Sequence, residues 1–302
     1  MRVVEFPFDI KAADFQALIR AEQASAMILG LTPVGPAEVA ASDALKVVAR
    51  SGVGYDLIDV PALTAQGVPL MITGNANAGS VAEHALFGML TVAKRSRYLD
   101  EMVRRGRWRH ELDGLPIDLM GKTALVVGFG RIGTRITRRL LAMEMRVLVS
   151  DPYVPQEAIR QAGAEPVTDL DQAIAEADAI TVHVPRTPET MNLIDARRLA
   201  LMKPKAILVN TARGGIVDEL ALDAALRRGH LFGAALDVLV DEPPKPDHPL
   251  LKNERCHLAP HVAGVTVEAM GRMGQEAAEN VLSVLDGRPN LSNVVNREVF
   301  ER

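Results

Sequence analysis

The segment Lys122–Asp151, KTALVVGFGRIGTRITRRLLAMEMRVLVSD, contains the pattern that decides the fold of this chain. A short apolar run at 124–127 leads into Gly128-Phe129-Gly130-Arg131-Ile132-Gly133, and a helix-compatible stretch leads on to a second apolar run that ends at Asp151. This order of strand, glycine-rich turn, helix, strand and acid is typical of a dinucleotide-binding unit. A plain crossover turn in an α/β domain is the alternative interpretation, because glycines also mark ordinary turns.

Each part of the pattern has a physical role in binding a dinucleotide. Gly128 suits the tight turn, Gly130 lets the backbone approach a pyrophosphate, and Gly133 lets helix and strand pack closely. The helix would direct its free N–H groups and the positive end of its dipole at the phosphates. Asp151 would accept hydrogen bonds from both ribose hydroxyls and repel a 2′-phosphate, so the sequence predicts NAD rather than NADP as the cofactor.

Composition narrows the class of protein. The 302 residues suit one large domain or two ordinary ones, and 48% of them are hydrophobic with one Trp and three Tyr, so the predicted core is aliphatic. A formal net charge of −4 gives no electrostatic reason to expect a nucleic-acid or membrane partner. The single Cys256 fits a reducing compartment, and the chain does not open with the apolar core of a signal peptide, so we expect a cytoplasmic protein. No metal-ligand spacing is present, and no metal site is predicted.

Apolar runs alternate with helical patterns along the chain, which predicts an α/β fold with doubly wound parallel sheets. The runs lie at residues 26–29, 45–49, 69–72, 124–127, 147–149, 179–184, 207–210, 233–238 and 256–259. Long helices are predicted at 81–95, which Ser80 and Glu83 would open with capping-box spacing, and at 267–285. Residues 293–296 should return to the first domain. Because ligands bind beyond the carboxyl ends of parallel strands, the loops after the runs should gather around the cofactor.

Three residues that suit hydride-transfer chemistry follow successive apolar runs. Reduction of a 2-oxo acid needs a cation to hold the carboxylate and polarise the carbonyl, and an acid to protonate the oxygen. Arg213 suits the first role and His261 the second, while Glu242 would orient the imidazole and favour its protonated form. Taken singly, each residue has another interpretation. Arg213 fits a residue at the entry to a helix, Glu242 fits a solvated turn, and His261 fits a histidine that donates to a backbone carbonyl. Their shared placement favours catalysis. His183, inside an apolar run, is predicted to be a hydrogen-bonded core residue.

The sequence from about Leu45 to Asn296 resembles the D-isomer-specific 2-hydroxyacid dehydrogenases. The motifs that carry the resemblance are ARSGVGYDLID, NAGSVAEHAL, VVGFGRIG, VNTARGGIVDE, ALDV followed by DEPP, and LAPHVAG, in the family's order. The resemblance implies two Rossmann-like doubly wound domains, with an NAD-binding domain at 96–285 inserted into a shorter flavodoxin-like substrate domain at 1–95 and 286–302. It also implies that the sequence ahead of the first apolar run is shorter than usual by a strand and a helix.

The resemblance further implies an activity and a set of site residues. The activity is NAD-dependent interconversion of a small 2-oxo acid and its D-2-hydroxy acid, of the 3-phosphoglycerate, hydroxypyruvate and glyoxylate class. Arg213, Glu242 and His261 would be catalytic, with His261 as the proton donor. Substrate contacts would come from Arg50, Val53, Gly54 and Asn77. Cofactor contacts would come from Gly128, Gly130, Arg131, Ile132, Gly133, Asp151, Val184, Pro185, Thr190, Thr211, Asp237 and Gly264.

Several alternatives stay open at the level of sequence. Formate dehydrogenases share the pattern but carry Gln where Glu242 stands, which disfavours that branch. Corepressors share the fold and the three catalytic residues, so an NAD(H)-sensing protein without physiological turnover is the second hypothesis. The basic stretch at 97–109 fits either a contact to a phosphorylated or sulfonated substrate or a solvated helix face. Resemblance also implies a homodimer, with the helix at 81–95 and the segment near Trp108 contributing.

Overall fold

The computed structural model describes residues 2–7 and 9–301, which form two compact units. The second unit, Ala78–Gly264, is inserted into the first unit, which consists of the residues before Ala78 and those from Val265 onward. In chain order the helices and strands are α1 (Ala12–Glu22), β1 (Ala26–Leu29), α2 (Pro36–Val39), β2 (Val47–Arg50), α3 (Val60–Ala65), β3 (Leu70–Ile72), α4 (Ala78–Ala93), α5 (Ser96–Arg104), β4 (Thr123–Val127), α6 (Gly133–Ala142), β5 (Arg146–Ser150), α7 (Gln156–Gln161), β6 (Glu165–Pro166), α8 (Leu170–Glu176), β7 (Ala179–Val182), α9 (Ala196–Leu201), β8 (Ile207–Asn210), α10 (Glu219–Arg227), β9 (Gly233–Leu236), β10 (Cys256–Leu258) and α11 (Val267–Leu285). Short 3₁₀ helices lie at Arg109–Glu111, Pro249–Lys252, Leu291–Asn293 and Arg297–Phe300.

The first unit is built on a parallel sheet with the strand order β1-β2-β3. One side of the sheet packs in a cluster that includes Phe15 and Ile19 of α1 and Leu63 of α3. The other side packs against α11, where Ala277 and Val281 join Val47, Ala49 and Met71. Apolar residues on both sides of each strand therefore explain why these short runs form parallel strands.

The second unit is built on a seven-stranded parallel sheet with the order β10-β9-β8-β7-β4-β5-β6. Alternate residues of β4 face opposite sides: Leu125 and Val127 pack in one buried cluster, and Ala124 and Val126 pack in another. The sheet is thus covered on both faces, and its core is aliphatic as predicted. The strand order reverses between β4 and β7, and such a reversal opens a ligand-binding crevice beyond the carboxyl ends of the strands.

The division into units differs from the predicted domain bounds of 95/96 and 285/286, because each long helix packs on a different sheet from the one expected. Helix α4 packs its Ala85 and Met89 with Val209 and Ala235 of the seven-stranded sheet, whereas α11 belongs to the first unit. Packing on these two sheets sets the division at Asn77/Ala78 and Gly264/Val265. Met1, Phe8 and Arg302, which the predicted bounds include, lie outside the described residues.

Two further details differ from the sequence prediction, and one agrees with it. The capping-box prediction is wrong, because α4 begins at Ala78 and Ser80 is a buried residue inside it. Strand β6 was not predicted, since two residues are too short to produce a pattern. As predicted, the segment after α11 returns to the first unit, where Val294 forms an antiparallel bridge with Met71. In the described part of the chain, no helix combines the length and the apolar character needed to cross a membrane.

Candidate active site

The glycine-rich turn after β4 has the shape that a dinucleotide requires. Gly128 has a φ of +96°, and a Cβ there would lie 2.7 Å from the carbonyl oxygen of His183. A Cβ on Gly133 would lie 2.0 Å from the carbonyl oxygen of Gly128, so the start of α6 can approach the turn only without a side chain. A Cβ on Gly130 would meet nothing within 4 Å. The turn is therefore closed by packing at Gly128 and Gly133 and open at Gly130, the position at which the sequence predicts the approach to a pyrophosphate.

Asp151, directly after β5, holds this turn in place. Its Oδ2 accepts the Phe129 N–H at 2.7 Å, and its Oδ1 accepts the Tyr153 N–H at 2.9 Å. Each carboxylate oxygen has a further lone pair, so the half-buried Asp151 can still accept hydrogen bonds from ribose hydroxyls. Arg131 and Ile132, both half-buried, fill the last positions before α6.

The loops after β7 and β8 contribute the next predicted cofactor residues. Half-buried Val184 and exposed Pro185 follow β7, and the Thr190 hydroxyl closes their loop by donating to the Pro185 carbonyl at 2.6 Å. Thr211 follows β8, and its hydroxyl oxygen is buried with no hydrogen-bond partner among the described residues. A buried hydroxyl of this kind normally has a partner, so its position beside the crevice fits a bound ligand.

The turn after β10 holds His261 in an unusual backbone conformation. His261 has a φ of +55°, which costs a non-glycine residue about 1 kcal/mol. Asp237, at the end of β9, stabilises this turn: its carbonyl accepts the His261 N–H, and its two carboxylate oxygens accept the N–H groups of Val262 and Ala263, each at 2.8 Å. Asp237 is 2% exposed, so this buried carboxylate fixes the backbone that carries His261 and leads to Gly264.

His261 and Glu242 form a hydrogen-bonded pair. The distance between His261 Nδ1 and Glu242 Oε2 is 2.7 Å, and the other oxygen, Oε1, accepts the Leu239 N–H at 3.0 Å. An ionised carboxylate requires a hydrogen on Nδ1, so Nε2 is the ring nitrogen that can gain and lose a proton. The two side chains are 42% and 40% exposed, and a small substrate can therefore reach the imidazole.

Arg213 lies in the loop after β8, half-buried. Its backbone carbonyl accepts a hydrogen bond from the Asn210 amide, and its guanidinium donates to the Ala212 carbonyl at 2.7 Å. A Cβ on the next residue, Gly214, would lie 2.0 Å from the Leu239 carbonyl oxygen, so the loop of Arg213 touches the loop of Glu242. Because β8, β9 and β10 are neighbours, Arg213, Glu242 and His261 follow three adjacent strands.

The four predicted substrate residues belong to the first unit. Arg50 ends β2, and its guanidinium folds back onto the carbonyl of Ser51. Val53 and Gly54 are half-buried in the irregular segment that follows. The side-chain oxygen of Asn77 is buried with no hydrogen-bond partner among the described residues, as expected of a residue that binds a ligand.

The basic stretch at 97–109 is largely engaged in local ion pairs. Arg104 pairs with Asp100, Arg105 with Glu101 and Arg107 with Glu111, each four residues away on an exposed surface. The Arg104 guanidinium lowers the pKa of Asp100 from its ordinary value. These pairs favour the solvated helix face over a substrate contact.

Sequence reasoning missed a second carboxylate–imidazole pair, between Glu219 and His248. Glu219 Oε2 lies 3.0 Å from His248 Nε2, and Glu219 Oε1 accepts the Val240 N–H at 2.7 Å. Burial raises the pKa of Glu219, whereas the Val240 N–H and His248 act in the opposite direction. The sequence did not indicate the pair, because the two residues are far apart along the chain: Glu219 ends the motif VNTARGGIVDE, whereas His248 lies in none of the motifs.

Comparison with known proteins places this geometry in a family. Residues 86–263, more than half of the chain, match the model described as D-isomer specific 2-hydroxyacid dehydrogenase, NAD binding domain. The chain belongs to the D-isomer specific 2-hydroxyacid dehydrogenase family. The second unit, which contains the glycine turn, is accordingly the NAD-binding domain of this family, and the predicted cofactor, NAD, is confirmed.

Individual relatives agree with this assignment. The chain is 43% identical over 270 residues to D-3-phosphoglycerate dehydrogenase of Archaeoglobus fulgidus, which covers 89% of this chain and 51% of the relative. It is 39% identical over 288 residues to glyoxylate reductase of Korarchaeum cryptofilum, and the match covers 93% of this chain and 86% of that relative. The chain also matches the crystal structure of D-lactate dehydrogenase from Aquifex aeolicus, complexed with NAD and lactic acid, with a TM-score of 0.83 and 29% sequence identity. This match covers 92% of this chain and 89% of the other chain. The chain spans about half the length of the D-3-phosphoglycerate dehydrogenases that it matches.

Proposed function

We propose that this protein is an NAD-dependent dehydrogenase that interconverts a small 2-oxo acid and its D-2-hydroxy acid. The observation that carries the proposal is the 2.7 Å pair of His261 and Glu242, which follow β10 and β9 of the same parallel sheet in which β4 leads into the glycine turn. The glycine turn, Asp151 and the buried Thr211 hydroxyl, which has no hydrogen-bond partner in the described part of the chain, fit the dinucleotide. When bound, the cofactor supplies the hydride in reduction and accepts it in oxidation.

The residues of this chain would handle the substrate and the proton. As the carbonyl carbon of a 2-oxo acid gains a hydride, its oxygen gains a proton, which His261 would donate from Nε2. Glu242 stabilises the protonated ring through Nδ1 and keeps Nε2 directed at the substrate. In oxidation the neutral ring would take the proton back from the hydroxyl. Arg213 would bind the substrate carboxylate and polarise the carbonyl, because a guanidinium offers paired N–H donors to such groups.

Substrate identity within this class is the part of the proposal that an enzyme assay decides. We would follow NADH oxidation with glyoxylate, pyruvate, hydroxypyruvate, phosphohydroxypyruvate and sulfopyruvate. The relatives named D-3-phosphoglycerate dehydrogenase and glyoxylate reductase support this panel. Preference for a doubly charged member would favour Arg50 as a further substrate contact. Binding of NADH without turnover of any member would favour the NAD(H)-sensing alternative instead.

The proton-donor role has a separate test. We expect His261→Ala to lower kcat by about 10²- to 10⁴-fold, the usual contribution of general acid catalysis, while the Kd for NADH stays unchanged. His110→Ala is the matched control, because the His110 side chain is 77% exposed in the 3₁₀ helix Arg109–Glu111, outside the strand-end loops. A loss of affinity for NADH in His261→Ala as large as the fall in kcat would contradict the assignment of His261 as the proton donor.

The proposal includes a homodimer that acts in the cytoplasm. The second unit exposes large apolar side chains between Phe87 and Met120, among them Trp108, which is 58% exposed, and Leu115, which is 73% exposed. Exposed apolar side chains of this size favour a protein partner. The single Cys256 is a buried free thiol, which suits a reducing compartment. Light scattering coupled to gel filtration would measure the mass in solution, and a monomer would contradict the dimer.

A further inference from the structure

The backbone of Leu239 and Val240, with the peptide that links them, joins three parts of the candidate active site. The Leu239 N–H donates to Glu242 Oε1, and the Val240 N–H donates to Glu219 Oε1. On another side the peptide touches Gly214, where a Cβ would lie 2.0 Å from the Leu239 oxygen and 2.5 Å from the Val240 nitrogen. A displacement of this short backbone segment would therefore be transmitted both to Glu242 and to the segment that carries Arg213.

Glu219 is well placed to prevent that displacement. It is the first residue of α10, whose N-terminus is capped by the Asp218 side chain accepting the Ala221 N–H at 2.9 Å. Glu219 is 8% exposed, so its carboxylate has little competition from water for the Val240 N–H. A carboxylate bonded to a backbone N–H at this depth forms a strong and directional hydrogen bond.

His248 attaches the far end of the same loop to the same carboxylate. Glu219 Oε1 receives the Val240 N–H, and Oε2 lies 3.0 Å from Nε2 of His248. Residues 240–248, with Glu242 among them, are thus held at both ends by one side chain. The His248 side chain is 17% exposed, so this second attachment is also largely shielded from water.

We propose that Glu219 is a positioning residue for the reaction: by holding both ends of the 240–248 loop, it keeps Glu242 in contact with His261. This inference rests on the proposed function. Glu219 does not touch the substrate, and its effect reaches the imidazole through the backbone of Leu239 and Val240 and the Glu242 carboxylate. Removing Glu219 would therefore impair proton transfer while leaving the NAD-binding turn intact.

The kinetic test compares two variants of Glu219 with a control on the same helix. We expect Glu219→Ala to lower kcat by about 10- to 100-fold, part of the full contribution of the proton donor, with the Kd for NADH unchanged. Glu219→Gln should recover most of kcat, because an amide can still accept the Val240 N–H and bond to His248. Asp223→Ala is the control, since Asp223 is 7% exposed one turn along α10 but, among the described residues, its carboxylate bonds to Arg227 and Asn253 and not to residues 239–248.

Two results would overturn the proposal: a kcat in Glu219→Ala no lower than in Asp223→Ala, or a Glu219→Gln variant as impaired as Glu219→Ala. Hydrogen exchange supplies a readout that is independent of turnover. The backbone N–H groups of the non-proline residues at 239–248 should exchange faster in Glu219→Ala and at the wild-type rate in Asp223→Ala. Unchanged exchange in Glu219→Ala would also refute the anchoring. If the wild-type protein turned over no 2-oxo acid, the proposed function would fail, whereas the exchange result would still decide whether Glu219 anchors the loop.

Discussion

His183 should make the free energy of unfolding depend on pH, and its replacement by Gln should remove that dependence. The residue directly follows β7, and its Nε2 lies 2.8 Å from the Thr181 hydroxyl, as the prediction of a hydrogen-bonded histidine requires. Part of the residue is exposed, but Nδ1 is buried with no hydrogen-bond partner among the described residues. Burial lowers the pKa of His183 from 6.5 to about 3. The folded protein therefore keeps this imidazole neutral well below neutral pH.

The magnitude follows from proton linkage. In the unfolded chain the pKa returns to about 6.5, so between pH 6.5 and pH 3 only the unfolded state binds the proton. The contribution of His183 to stability is thus fully present above the pKa of the unfolded state, about 6.5. It is lost progressively as the pH falls from there toward the pKa of the folded state, about 3. Each unit of pH in that window corresponds to about 1.4 kcal/mol. Lowering the pH from 7 to 5 crosses about 1.5 pH units of this window. The free energy of unfolding should therefore fall by about 2 kcal/mol on account of His183.

Urea unfolding followed by circular dichroism at pH 7 and pH 5 would measure this loss. Wild type should lose about 2 kcal/mol more between the two pH values than His183→Gln, whose side chain stays neutral at both. Any packing cost of Gln is the same at both pH values and cancels. His110→Gln, on an exposed histidine, should keep the wild-type dependence. Equal pH dependence in wild type and His183→Gln would mean that the folded state protonates His183, and the burial argument would be refuted.

Two further predictions concern the nucleotide turn. Gly133→Ala places a Cβ 2.0 Å from the Gly128 carbonyl oxygen and should weaken NADH binding at least about tenfold by displacing the start of α6. Gly274→Ala in α11, where a Cβ meets nothing within 4 Å, should leave the Kd for NADH unchanged. Equal effects of the two substitutions on this Kd would count against the close packing of Gly133 on the turn. Asp151→Ala frees the Phe129 N–H and removes the repulsion of a 2′-phosphate, so the ratio of kcat/KM for NADH over NADPH should fall. An unchanged ratio would remove Asp151 from cofactor selection.

The fold was largely predictable because its strands are buried on both faces. Runs such as Ile207–Asn210 read as continuous apolar segments, and the observed strand has the predicted bounds. The helix at 267–285 also has its predicted bounds, since its apolar positions recur at helical spacing up to Leu285. Which sheet each long helix packs against was not predictable, because an apolar face does not specify its partner.

The positions of the candidate catalytic residues could be predicted from the sequence, but the residues that hold their loops in place could not. The loops after β8, β9 and β10 carry Arg213, Glu242 and His261, and the order of parallel strands brings these loops to neighbouring positions. The role of Asp237 in holding the His261 turn depends on bonds from its side chain to backbone N–H groups in a distant loop. Glu219 depends on a bond of the same kind, from the Val240 N–H, and His248 depends on its contact with the Glu219 carboxylate. Such contacts leave no periodic pattern in a sequence.

The insertion of the second unit into the first has a consequence for synthesis on the ribosome. Asn296 holds β3 in place with its side chain: Oδ1 accepts the Leu70 N–H at 2.7 Å, and Nδ2 donates to the Val68 carbonyl at 3.0 Å. These bonds join residues more than two hundred positions apart, so they cannot form until the whole inserted unit has been translated. The nascent chain should therefore complete its NAD-binding domain before β3 gains these bonds, which need the segment that follows the inserted unit.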